Sequence, residues 1–97
     1  MLIAFSVTPI GTGDVSVADE VADAVRVVRS SGLANRTDAM FTEIEGDWDE
    51  VMGVVKQAVD AVLARSKRVS LVLKADVRPG AKGQIDEKVR AVEERLG

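Results

Sequence analysis

Cysteine and histidine are absent from this chain, and its aromatic residues are confined to Phe5, Phe41 and Trp48. Without cysteine there is no disulfide framework and no thiol chemistry. Without histidine the usual general base near neutral pH and the commonest transition-metal ligand are both missing. No long basic run occurs, and the net charge of -3 gives no electrostatic reason to expect nucleic-acid binding. The apolar start, Met1 to Val7, lacks a charged leader region and is far too short to span a bilayer. No membrane contact is therefore expected, and the protein is read as cytoplasmic.

What is present is ordinary for a soluble domain: 46% of residues are hydrophobic and 30% charged, which argues against disorder. The 97 residues fit one domain, 1–97, with no room for two cores. A chain this small buries a modest fraction of its surface, so self-association is a reasonable expectation.

Residues Leu2 to Thr8 read as a central strand, apolar on both faces and ended by Pro9, Gly11 and Gly13. Ser16 with Asp19 approximates a capping box for a first helix, whose stripe runs Val17, Val21, Val25 and Val28 until Ser30 to Gly32 stop it. "LANRT" suits a polar edge strand, followed by a turn near Asp38. In "MFTEIEG" the alternation puts Met40, Thr42 and Ile44 on one face and Phe41, Glu43 and Glu45 on the other. Asp47 and Glu50 form an acidic variant of the capping box for a second helix, striped by Val51, Val54, Val55, Ala58 and Val62 and ending near Ser66. "RVSLVLKADVR" is the last strand, with Val69, Leu71, Leu73, Ala75 and Val77 on its inner side. "PGAKG" breaks it before a third helix carrying Ile85, Val89, Val92 and Leu96.

The order is β-α-β-β-α-β plus a C-terminal helix. It predicts an α+β fold, a ferredoxin-like βαββαβ sandwich with a four-stranded antiparallel sheet and both long helices on one face. Ile3, Phe5 and Val7 then point inward, and Ala4, Ser6 and Thr8 lie on the open face. Phe41, Glu43 and Glu45 join them if Met40 and Ile44 turn toward the helices. Lys74, Asp76 and Arg78 share that face and can pair with the glutamates, each pair contributing about 0.2–1 kcal/mol if exposed.

Catalytic signals are poor. "GTGDVS" matches neither the dinucleotide nor the P-loop pattern, and the acidic residues do not follow calcium-loop spacing. No nucleophile is matched with a histidine, and nearby carboxylates alone are insufficient evidence for acid/base catalysis, so no enzymatic activity, cofactor or metal is expected.

The strand ending in Pro9, the "SGL" at 31–33, the run from Met40 through Val51, "KADVR" at 74–78 and "IDEKV" at 85–89 together resemble the small thiamine-binding protein family, also called MTH1187/YkoF-like. The likeness spans Leu2 to Leu96. It implies a ferredoxin-like fold assembled as a homodimer or homotetramer, binding thiamine or its hydroxymethylpyrimidine part without catalysis. On that resemblance the ligand-binding candidates are Ser6, Phe41, Thr42, Glu43 and Glu45. A carboxylate, Glu43 or Glu45, would accept from the amino group or offset the thiazolium, and Thr42 or Ser6 would satisfy a ring nitrogen. Phe41 or Phe5 would supply an aromatic wall, with a cation–π contribution of roughly 0.5–2 kcal/mol. Phe41 departs from the small or polar residue usual there, which bears on ligand choice. Two other readings remain open: an amino-acid-sensing regulatory module, by analogy of fold alone, and a purely structural oligomer.

Overall fold

In the computed structural model, which describes residues 1–97, the chain runs β1 (Leu2–Pro9), α1 (Ala18–Ser30), β2 (Ala34–Thr37), β3 (Thr42–Glu45), α2 (Trp48–Leu63), β4 (Val69–Asp76) and α3 (Gln84–Leu96). The strands form one sheet in the order β2-β3-β1-β4, and every neighbouring pair is antiparallel. This is the expected ferredoxin-like arrangement, with β1 central.

Register assigns the two faces. Ile3 lies opposite Ile44 and Ala75, and Phe5 opposite Thr42 and Leu73, so these residues share the face covered by α1 and α2. Ile3, Phe5, Val7 and Ile44 join Val28 of α1 and Val51, Val55 and Val62 of α2 in one buried cluster. Each such side chain contributes about 1.5–3 kcal/mol by leaving water. At the far end of the helix pair, Arg65 reaches Asp23 at 2.8 Å and ties α2 to α1.

Several local expectations change. α1 begins at Ala18 with Val17 as its N-cap, and no side chain caps it, so the Ser16–Asp19 box does not form. The reason is visible in the backbone: Val21 N–H donates to the Val17 carbonyl, which starts the helix one residue beyond Ser16. Asp47 is the N-cap of α2 as expected, yet its carboxylate accepts no capping hydrogen bond. Asp49 and Glu50 in the first turn still complement the helix dipole.

Met40, expected on the face of Thr42 and Ile44, lies outside β3 and is 75% exposed. β3 starts only at Thr42 because Asp38 closes the preceding turn. Its carboxylate accepts from Met40 N–H and Phe41 N–H, each at 3.1 Å, and its own N–H donates to the Phe41 carbonyl. Backbone groups used there are lost to strand pairing. Leu71 and Ala75, expected inside, are exposed as well. β4 is an edge strand, and the helices cover the sheet centre more fully than this edge.

α3 lies on the opposite side of the sheet. Gln84 N–H donates to Glu45 at 2.9 Å, and Lys88 pairs with Asp76 at 2.6 Å. Glu45 and Asp76 both sit opposite Leu2, which places them on the face away from α1 and α2. Of the expected α3 stripe only Ile85 is buried, whereas Val89, Val92 and Leu96 are exposed. Arg90 instead braces the helix outwardly through Glu87 and Glu94.

Candidate functional site

β1 pairs with β3 only over Leu2 to Phe5, and above that point the two chains separate. The separation follows from the Asp38 turn, which turns residues 38–41 out of the ladder. A cleft of about 290 Å³ opens between the second half of β1, this turn and α1. Its volume lies near the lower end for small-molecule sites.

The walls are apolar: Val21, Ala24 and Val25 from α1 on one side, and Met40 with Phe41 on the other. Phe41 is 38% exposed, so its ring is partly available at the cleft. The polar lining residues are few. Ser6 and Thr8 lie on β1, Thr37 and Thr42 face one another across β2 and β3, and Asp38 stands in the turn. Thr37 Oγ1 and Thr42 Oγ1 are 3.2 Å apart, with either able to donate to the other. The pair therefore retains a further hydroxyl hydrogen for another acceptor.

Asp38 is the charged member. The Met40 and Phe41 amides hold its carboxyl below the ordinary carboxylate range, and Arg36 adds a smaller effect through space. Both amides bond to Oδ1, leaving Oδ2 free of protein partners. The arrangement offers an apolar-walled cleft, hydroxyl donors and acceptors, and one fixed negative charge. Such a set can hold a small heterocycle with a polar edge and a positive charge.

The five residues singled out from the sequence are thus divided. Ser6, Phe41 and Thr42 line this cleft. Glu43 lines a separate space of about 280 Å³ under α3, beside Lys74, Ile85 and Lys88. Glu45 borders a broader groove of about 580 Å³ at the other end of the sheet, with Trp48, Arg78 and Lys82. Its carboxylate already caps α3 through the Gln84 amide, at 2.9 and 3.2 Å from its two oxygens. The expected ion pairs of the strand glutamates with Lys74 or Arg78 do not form, and Asp76 of the same face pairs with Lys88.

Thr42 also stands apart in a way alternation foretold. It is 8% exposed and belongs to the helix-facing side of the sheet, whereas Ser6 belongs to the other. Both border the cleft, which lies where β1 has no β3 partner beyond Phe5. Sequence reading missed Thr37, Asp38 and the α1 residues. For Asp38 a signal existed: an Asp followed within three residues by free backbone amides is a ready Asx-type turn.

Comparison with known proteins gives a consistent result. A family model described as "Thiamine-binding protein" matches residues 3–93. A Mycobacterium bovis protein, UPF0045 protein Mb1933, is 58% identical over 97 residues, which are 99% of this chain and 94% of its own length. The solved structure of MJ1052 from Methanocaldococcus jannaschii superposes with a TM-score of 0.86 at 35% identity, covering 96% of this chain and 95% of that one. A Thermotoga maritima structure, TM0486, with a suggested place in thiamine biosynthesis or salvage, gives a TM-score of 0.82 at 25% identity, over 94% of this chain and 96% of that one.

Proposed function

Since the chain belongs to the thiamine-binding protein family, we propose that it binds thiamine, or the hydroxymethylpyrimidine part of it, in the cleft between β1, α1 and the Asp38 turn. The observation that carries this reading is that Ser6, Phe41, Thr42 and Asp38 all line one small apolar-walled space. The Thr37–Thr42 pair and Ser6 serve the donors and acceptors of the aminopyrimidine edge. Phe41 stacks on a ring, and Asp38 offsets the thiazolium. Glu43 and Glu45 stand outside this cleft; Glu45 acts through the fold, and Glu43 borders the adjoining space under α3.

The protein acts by binding alone, in cytoplasmic sequestration or delivery of the vitamin. Hydroxyls and a single exposed carboxylate suit recognition better than proton transfer, which needs a group tuned near the working pH.

It works as a homodimer or homotetramer. β4 supports this: eight residues long, it sits at the sheet edge with Leu71 and Val72 exposed. The other edge, β2, is only four residues of polar sequence, a protected end by comparison. Pairing β4 with β4 of a second copy would satisfy its free backbone groups.

Calorimetric titration with thiamine, hydroxymethylpyrimidine and the thiazole alcohol tests the reading, alongside Thr42→Val and Phe41→Ala. Saturable binding of thiamine or the pyrimidine is expected. Thr42→Val should weaken it by roughly three- to tenfold, the worth of one hydrogen bond. No heat with any of the three, from folded and ligand-free protein, would refute it.

A further inference from the structure

We infer that the cleft selects unphosphorylated thiamine over its phosphate esters; the inference rests on the thiamine reading of this cleft. The chain has 13 lysines and arginines, and none of them lines this space. Its only charged lining residue is Asp38, an anion. Arg36 influences Asp38 through space, but in register it sits opposite Glu43, on the α3 side of the sheet and outside the cleft lining.

Phosphate recognition by proteins uses guanidinium groups, ammonium groups or ordered backbone amides. Here the two amides most available in the turn, those of Met40 and Phe41, already donate to the Asp38 carboxylate. The phosphate of a thiamine ester hangs on the hydroxyethyl arm of the thiazolium. A thiazolium placed against Asp38 therefore carries that phosphate toward the same carboxylate, with no cation among the lining residues to receive it. Like charges at such separations repel even through partly screening solvent. Basic groups that could take a phosphate do exist, but Arg78 and Lys82 border the separate groove around Trp48.

A protein that holds the free alcohol and rejects its ester stands before the phosphoryl-transfer step that consumes this alcohol, not after it.

The test is a calorimetric comparison of thiamine, thiamine monophosphate and thiamine diphosphate on the wild-type protein and on Asp38→Asn. Asparagine keeps the Oδ1 that accepts from the two amides, so the turn persists while the charge goes; a thermal melt confirms folding. Thiamine should bind at least roughly tenfold tighter than the monophosphate, with the diphosphate weaker again. In Asp38→Asn thiamine should weaken and the gap to the monophosphate should narrow.

Equal affinities for alcohol and ester, or a gap unchanged in Asp38→Asn, would overturn this inference while leaving thiamine binding intact. Tighter binding of the esters, lost in Arg78→Gln with Lys82→Gln, would overturn it by moving the ligand to the other groove. Absence of binding by all three would remove the thiamine reading itself, and this inference with it.

Discussion

Glu45→Ala should loosen α3 without unfolding the domain. Glu45 accepts the Gln84 amide at 2.9 and 3.2 Å, spanning 39 residues of chain. It thereby does for α3 what an N-cap side chain does, since the N-cap position itself is Gly83, at φ +65, with no side chain to offer. Losing a cap acceptor costs about 0.5–2 kcal/mol. The rest of the docking is thin: Ile85 is the only buried residue of α3, worth about 1.5–3 kcal/mol. The exposed Lys88–Asp76 pair adds a screened contribution. A 13-residue helix has little stability of its own in water, so it stays folded mainly while docked.

Removing about 1 kcal/mol from so small a total should raise the open population of α3 about fivefold. Amide hydrogen exchange in native buffer reads this directly. Amides of 86–96 should exchange about fivefold faster in Glu45→Ala, while those of β1 and α2 keep their protection. Glu43→Ala, two residues earlier on the same face and without a hydrogen bond to α3, is the control and should leave 86–96 unchanged. Equal protection of α3 in wild type and Glu45→Ala would refute the capping role. It would also return Glu45 to the list of candidate ligand contacts.

Two further outcomes follow from the same geometry. Gly46→Ala places a Cβ 3.2 Å from Val51 Cγ2 and 3.4 Å from both Leu33 methyls. Val51 is fully buried and has little freedom to move, so the cost should be about 1 kcal/mol, read as a fall in Tm of about 5 °C; an unchanged or higher Tm would mean this corner is looser than it looks. As to pH, the hydrogen bond and charge of Lys88, ahead of weaker help from Arg78 and Lys74, depress the Asp76 carboxyl below its usual 3.8. A depressed carboxylate stabilises the folded state above its unfolded value and loses that contribution as pH falls through the folded one. Protection of α3 should therefore drop below about pH 4, and Asp76→Asn should reduce that pH dependence, leaving the part due to Glu87, which Arg90 also depresses; a variant with the full dependence would place the responsible group elsewhere.

Much of the fold could be read from periodicity alone. Alternation in residues 2–8 and 42–45 correctly turned Ile3, Phe5, Val7 and Ile44 inward, because register in a half-covered sheet is enforced by burial. The helical stripes of α1 and α2 found their core positions for the same reason. A pattern of apolar residues is a local signal with a global consequence, and it survives errors of one or two residues at helix ends.

The site was less legible, for a different reason. Ser6, Phe41 and Thr42 were recognised as candidates, yet nothing local says that β1 and β3 part after Phe5, which is what opens the cleft between them. Glu43 and Glu45 looked equivalent in sequence, two positions apart on one strand face. Only the return of the chain at Gln84 gave one of them a backbone partner and left the other without. Asp38 shows the limit from the other side: its local turn chemistry was readable, but its place at a cleft depended on where α1 packs. The sequence by itself therefore determined the elements, their faces and the family. The tertiary structure decided which polar side chains meet, because those meetings join residues distant along the chain and no short-range pattern records them.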